Sequence, residues 1–412
     1  MADNHAMLAP SLSPAVTILG DDERSGLPWW TYFNKELLEI EKELLFRRCW
    51  QLVGHINDIP EPGDYLTLDV VGERAIAVRG KDGQVRCFHN VCRHRGSRVV
   101  ADSRGNCKAA ITCPFHGWSY NFDGTLRGAP KSRSLPKLDP QEHGLVPVEF
   151  EVWEGLIFVR FAPSEQPSVA AMMAPHMAEV GRYRIAEMKP LTGYDSEEMP
   201  VNWKAVRDVD NEGYHVPIAH PSLQDLYGRS YIDEAHHFGT SRSFAPFNEG
   251  ESWQGSVRHY KKILPKVAHL PQPNQRAWLY IGLFPNTVLM LYPDQVGFYQ
   301  EFPLGVGRTL QRNAAYGLPD QSREMKLARY LPRRIDRVTS REDTQLIIWS
   351  WESMQSSGFA GMILSDLEAG VRSYHDQLRT LIPVFNLEDE PAPGAVETIN
   401  ATLMKARGAA WG

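Results

Sequence analysis

Apolar positions change their spacing along this chain, and each change marks a different kind of element. Asn34 to Arg48 carries Leu37, Leu38, Leu44 and Leu45 on one face at helical spacing, which predicts a helix. From Trp50 onward the pattern shortens to β-type runs broken by turns: Tyr65–Val70, Ala75–Val78, and Val85–Phe88 after Lys81-Asp82-Gly83. Asp123-Gly124 has the chemistry of a hairpin turn, and Gly155–Val159 reads as a buried strand. Together these runs predict a compact antiparallel domain of about 115 residues, a usual domain size. Pro163 to Pro175 is the expected boundary.

Beyond it the texture mixes helices and strands. Trp278–Phe284 and Thr287–Tyr292 are predicted strands around a Pro285-Asn286 turn, with Gly297–Phe302 as a third. Ile335–Met354 and Ser365–Leu381 are predicted helices, the second with Leu367, Val371, Tyr374, Leu378 and Leu381 as its apolar stripe. The fold expected is α+β, in three parts. Residues 1–48 form an extension and helix packing on the C-terminal domain, 49–165 the antiparallel β domain, and 166–412 a helix-grip-like α+β domain.

Composition narrows the class without naming the chemistry. The 412 residues are too many for one small core, and 42% hydrophobic with 23% charged residues suits a globular protein. A net charge of −6 argues against a nucleic-acid partner. The first thirty residues hold Asp3, Asp21, Asp22 and Glu23 and no continuous apolar stretch, so neither a signal peptide nor a membrane anchor is expected. Five cysteines, two of them in the motif below, suggest no disulfide framework and a cytoplasmic setting. Cys49, Cys87 and Cys107 read as small apolar residues. No strand is followed by Gly-x-Gly-x-x-Gly, and Gly305-Val-Gly307 lacks the third glycine, so electrons are expected from a separate reductase rather than from NAD(P)H bound here.

Chemistry concentrates at two places. The first pairs Cys92-Arg-His94 with Cys113-Pro-Phe-His116, so that two short loops each supply one thiolate and one imidazole. Two sulfur ligands on one iron and two histidines on the other would hold a [2Fe–2S] cluster of raised potential. A Cys₂His₂ zinc site needs the same residue types, but zinc knuckles usually pair like with like. Asn90 to Gly96 and Cys113 to Trp118, with their glycines and closing Trp, resemble the Rieske centre of the ring-hydroxylating and demethylating oxygenases.

The second runs from Asn202-Trp203-Lys204 through Asp208, Asp210 and Glu212 to His215 and His220-Pro221. Five residues turn a helix through about 500°, so the two histidines share a face only if the helix breaks. Pro217 is the expected kink. Glu212, three before His215, is expected beside it on the helix surface. This segment resembles the iron-binding Asp/Glu-x-x-His-x₄-His of the Rieske non-haem iron oxygenases. A third ligand is required from elsewhere. Asp343 is the best source, sharing a helical stripe with Ile347, Trp351 and Met354, while Glu342 and Asp366 compete. Asp208 and Asp210 are expected to support the histidines or face solvent; His89, His236, His237 and His375 are expected to be structural or surface residues.

The resemblance implies a two-centre oxygenase. Cys92, His94, Cys113 and His116 would hold the Rieske cluster, and His215, His220 and Asp343 mononuclear Fe(II). Glu212 would bridge cluster and iron between neighbouring subunits of a head-to-tail homotrimer. Glu rather than Asp at 212 is similar to the branch that oxidises quaternary ammonium compounds. The implied reaction is O₂-dependent N-demethylation, with proline betaine giving N-methylproline and formaldehyde. Glycine betaine, carnitine, choline or an aromatic ring are the alternative substrates. A Rieske electron carrier or redox sensor, and a zinc-stabilised binding protein, are the readings from other classes.

Overall fold

The computed structural model describes residues 25–135 and 137–405; expectations for residues 1–24 lie outside them. Asn34 opens the first helix, its side chain accepting from Leu37 N at 2.8 Å, and α1 (Lys35–Glu41) buries Leu37 and Leu38 as the apolar spacing predicts. The helix does not run regularly to Arg48. It widens into a π-helical stretch over Lys42–Phe46, where Leu45 and Phe46 are buried.

The chain divides into two compact units. One holds residues 46–193 and 315–319, and is built from short antiparallel strands. β1 (Gln51–His55) pairs with the later hairpin β9–β10; β2 (Asp64–Val70), β3 (Glu73–Arg79), β4 (Val85–His89) and β5 (Arg104–Asn106) form a second sheet in the order β4-β3-β2-β5. β6 (Ile111–Thr112), β7 (Ser119–Tyr120) and β8 (Leu126–Gly128) form the third, and β9 (Glu149–Trp153) and β10 (Leu156–Arg160) complete the first. Gly124, at φ +87°, makes the tight turn between β7 and β8. Tyr65, Ile76, Val78, Phe88, Ile111, Trp118 and Tyr120 pack one core around Cys92 and Cys113.

This unit continues past the expected boundary at 163–175. The short helices α2 (Val169–Met173) and α3 (Met177–Val180), and β11 (Lys189–Pro190), which pairs with Tyr316 and Gly317, all belong to it. Val169, Met172, Met173 and Val180 are buried, which ties this stretch to the unit.

The other unit contains residues 25–45, 194–314 and 320–405 of the described chain. Its antiparallel sheet runs from β12 (Asp195–Met199) across β18 (Arg308–Gly317), β17 (Val296–Gly305), β16 (Thr287–Leu291), β15 (Ala277–Leu283) and β14 (Thr240–Pro246) to β13 (Ile232–His237). Its helices are α4 (Trp203–Asp210), α5 (Val216–Ala219), α6 (Pro221–Tyr227), α7 (Gly255–Ile263), α8 (Arg323–Ser353), α9 (Ala369–Leu381) and α10 (Val396–Lys405). The architecture is α+β, with an antiparallel β unit and a mixed helix–sheet unit.

α8 starts twelve residues before the predicted Ile335 and so takes in Pro332. It sits in the helix interior between buried Leu331 and Ile335. The Pro penalty of about 3 kcal/mol is outweighed by burying that stripe. α8 packs on α4, α6 and α7, which brings its middle to the loop between α4 and α6. Among the described residues, no helix is long and apolar enough to cross a membrane.

Candidate functional site

In the β unit, the two cysteine–histidine loops repeat one backbone design. Gly96 N donates to Cys92 O and Gly117 N to Cys113 O, each at 3.0 Å, and the glycines stand at φ +74° and +72°. A side chain there would strain the backbone, so glycine lets each loop fold back over its cysteine. The loops close when Cys92 N donates to Ser97 O at 2.7 Å and Cys113 N to Trp118 O at 2.8 Å. Both cysteines are buried, and the Tyr120 hydroxyl lies 3.3 Å from Cys92 Sγ while accepting from Arg93 N at 3.0 Å.

The histidines come together at the open end. His94 and His116 rings lie 4.6 Å apart at 77°, and His94 stacks on Trp118 at 4.9 Å with planes 4° apart. His94 Nδ1 is buried without a hydrogen-bond partner, which fits a nitrogen meant for a metal. Two sulfurs inside and two imidazoles outside suit a [2Fe–2S] pair with mixed ligands.

In the α+β unit, His215, His220 and Asp343 each offer a ligand atom, all within 4.8 Å of one another. The histidine geometry differs from the expected proline kink. Pro217 sits in the first turn of α5, where its missing N–H is unneeded. The chain breaks instead at His220, at φ −121° and ψ 84°, before Pro221 opens α6. That break turns the rings toward each other, with Nε2 atoms 3.1 Å apart.

Asp343 reaches this point from α8. Its Oδ1 lies 2.8 Å from His220 Nε2 and 3.6 Å from His215 Nε2, yet that buried oxygen has no donor in hydrogen-bond geometry. The opposite nitrogens are held by other carboxylates: Glu212 Oε1 contacts His215 Nδ1, and Glu342 Oε2 lies 2.8 Å from His220 Nδ1. Glu342 therefore supports a histidine rather than competing with Asp343, and Asp366, in the turn just before α9, pairs with Arg372. Spacing places Asp343 rather than Glu342 on the stripe with Ile347, Trp351 and Met354, but gives Glu342 no role except as a competitor.

Glu212 is not on a helix surface. It occupies the loop after α4 and also accepts from the backbone N–H groups of Tyr214 and His215. Asp208 and Asp210 support neither histidine. Asp208 joins Tyr32 and His375, at 2.5 and 2.8 Å, and Asp210 pairs with Arg207 at 3.2 Å. His375 is fully buried and structural, also accepting from Leu27 N.

The electrostatics call for positive charge. Burial depresses His215, but Asp343 and Glu212 outweigh it and raise its imidazole to about 10. Burial raises the Asp343 carboxyl, yet both imidazoles hold it below the usual range. A divalent cation between two Nε2 atoms and one carboxylate oxygen answers that demand, and two neutral histidines with one carboxylate are the ligand set of non-haem Fe(II).

Two protein families match the chain: the Rieske [2Fe-2S] domain over residues 49–139, and the ring hydroxylating alpha subunit (catalytic domain) over residues 177–383. The sequence is similar to a carnitine monooxygenase oxygenase subunit of Acinetobacter pittii, 34% identical over 196 residues, covering 47% of this chain and 52% of that one. A glycine betaine monooxygenase oxygenase subunit of Pseudomonas aeruginosa is 33% identical over 221 residues, covering 52% and 51%. The chain thus spans about half the length of these curated relatives. Its fold is similar to a solved quaternary ammonium Rieske monooxygenase, with a TM-score of 0.74 and 23% identity over 89% of this chain and 100% of that chain. Naphthalene 1,2-dioxygenase from Rhodococcus sp. gives 0.70 and 19%, covering 89% and 95%.

Proposed function

Because the chain belongs to the ring-hydroxylating oxygenase alpha subunits, with a Rieske [2Fe–2S] domain ahead of its catalytic domain, we propose that it is a Rieske monooxygenase acting on a quaternary ammonium compound. The convergence of His215, His220 and Asp343 carries this reading. When bound, iron there would supply O₂ activation and the cluster at Cys92, His94, Cys113 and His116 the electrons. Glu212 and Glu342 fix the rings so that both Nε2 atoms face the metal position.

The proposed reaction is hydroxylation of one N-methyl group. It consumes one O₂, two electrons and two protons and forms water and a carbinol, which releases formaldehyde and a proton. The electrons come from NAD(P)H through a separate reductase. The relatives named for carnitine and glycine betaine support the ammonium class, and Glu212 supports the same branch. Within it we assign proline betaine as substrate and N-methylproline as product.

The working assembly is a cytoplasmic head-to-tail homotrimer in which Glu212 links one subunit's iron to its neighbour's cluster. Exposed Phe115 beside His116, and exposed Tyr214 and Ile218 beside His215, suit such a handover.

Formaldehyde release from proline betaine, glycine betaine, carnitine and choline, with a surrogate reductase, tests the assignment. Fastest turnover of proline betaine is expected. Preference for another betaine reassigns the substrate within the class, and turnover of an arene but no quaternary amine overturns the class. Iron content separates the carrier reading, which needs two irons per chain against three for the oxygenase.

A further inference from the structure

Asp336 precedes Asp343 on α8 by seven residues, two helical turns, so both carboxylates leave one face of the helix about 10 Å apart along its axis. Its surroundings are aromatic. Tyr292 Oη donates to Asp336 Oδ1 at 3.2 Å and lies 3.3 Å from Tyr280 Oη. Tyr292 stacks on Trp278 with centroids 4.0 Å apart, and Tyr227 packs against both Trp278 and Tyr231.

The Tyr292 bond is the only hydrogen bond the Asp336 side chain makes among the described residues, and no Lys, Arg or His pairs with it. Burial pushes its carboxyl up to about 8, against the opposing pull of the Tyr292 hydroxyl. Asp336, Tyr280 and Tyr231 nevertheless keep part of their surface accessible. Burial also drives the two phenols well above their ordinary value. Tyr227, its phenol raised mainly by burial, also senses the charges of Asp336 and Asp343.

A carboxylate removed from water, with one neutral donor and no cation, is costly to ionise unless a positive group joins it. A quaternary ammonium has no N–H to donate, so charge and aromatic faces are its only handles. Building on the function proposed above, we propose that Asp336 determines specificity for the substrate's positive charge, facing the ammonium group beside Tyr280 and Tyr292.

The test compares each betaine with its carbon counterpart: glycine betaine with 3,3-dimethylbutanoate, and proline betaine with 2,2-dimethylcyclopentanecarboxylate. Binding of both members of each pair to the metal-loaded enzyme is measured by calorimetry, and KM and kcat for the betaines alone by formaldehyde release. Wild type should prefer each betaine that it binds by roughly tenfold or more. Asp336→Asn should bring that ratio near one, acting on KM more than kcat with the Rieske absorbance intact, and Asp336→Glu should restore part of it. Tyr292→Phe, which keeps the ring and removes the hydrogen bond, should lower the ratio about threefold, and it decides the matter if Asp336→Asn does not fold. An unchanged ratio in the variants, or equal loss for both members of a pair, overturns the role of Asp336 and leaves the ammonium reading standing. If wild type binds neither betaine, carnitine and its carbon counterpart are compared in the same way; wild type that binds no quaternary amine overturns that reading, and Asp336 with it.

Discussion

Glu342 and Asp343, neighbours on α8, reach opposite nitrogens of one imidazole: each carboxylate comes within 2.8 Å of His220, at Nδ1 and Nε2 respectively. The ring is held from behind by one acid while the other meets its free nitrogen at the metal position. Adjacent residues in a helix point about 100° apart, which is the divergence needed to embrace an imidazole.

Removing these two acids should therefore have different effects. Asp343→Ala should leave two irons per chain and an unchanged Rieske spectrum, the mononuclear iron being lost. Glu342→Gln should retain three irons but weaken the mononuclear one by about 10- to 100-fold. Iron content after graded chelation reads both. Equal iron loss in the two variants would show that Glu342 is itself a ligand.

Glu212→Gln should keep both metals and slow product formation severely. The amide still accepts from the Tyr214 and His215 backbone, so the loop should hold. Single-turnover oxidation of the reduced cluster, followed by its visible absorbance, locates the block in electron delivery. Unchanged turnover removes the bridge.

Glu41 and Lys204 form an ion pair at 2.5 Å with essentially no solvent exposure, and Glu41 also accepts from Trp203 Nε1 at 2.7 Å. Burial raises the Glu41 carboxyl and lowers the Lys204 ammonium, opposed in each case by the partner's charge. Glu41→Gln leaves a buried cation without its counter-charge and should cost about 3–5 kcal/mol. Replacing both residues with Leu and Met should cost far less. Thermal unfolding of the two variants makes the comparison.

His55 sets an acid limit on the β unit. It is buried, donates from Nε2 to Ile185 O at 3.0 Å and accepts from Asn57 N at Nδ1, which requires the neutral ring. Burial lowers its pKa to about 4. The unfolded ring binds a proton near pH 6.5, so between pH 6.5 and 4 the unfolded state takes up protons first. Stability present above pH 6.5 is lost as pH falls through this window, by about 3 kcal/mol from this group. His55→Gln should flatten that part of a denaturation profile; an unaltered slope would assign it to other groups.

Much of this was legible in the chain because it is local. Cys92, His94, Cys113 and His116 announce themselves by spacing, since each loop needs only its own glycine and cysteine to fold back. The alternation of Tyr65–Val70 and Ala75–Val78 likewise specifies a hairpin, observed as β2 and β3 with Tyr65 opposite Val78. His215 and His220 could be named for the same reason.

What sequence could not decide is which distant groups meet. Pro332 lies inside α8 among buried neighbours, so the helix begins well before the predicted Ile335. Asp208 stands near them in sequence but faces Tyr32 and His375 instead. Local backbone preferences act over a few residues, whereas a metal position built from 215, 220 and 343 depends on how helices pack. The donor chemistry was therefore set by the chain itself, and the division of labour among the acids by tertiary packing.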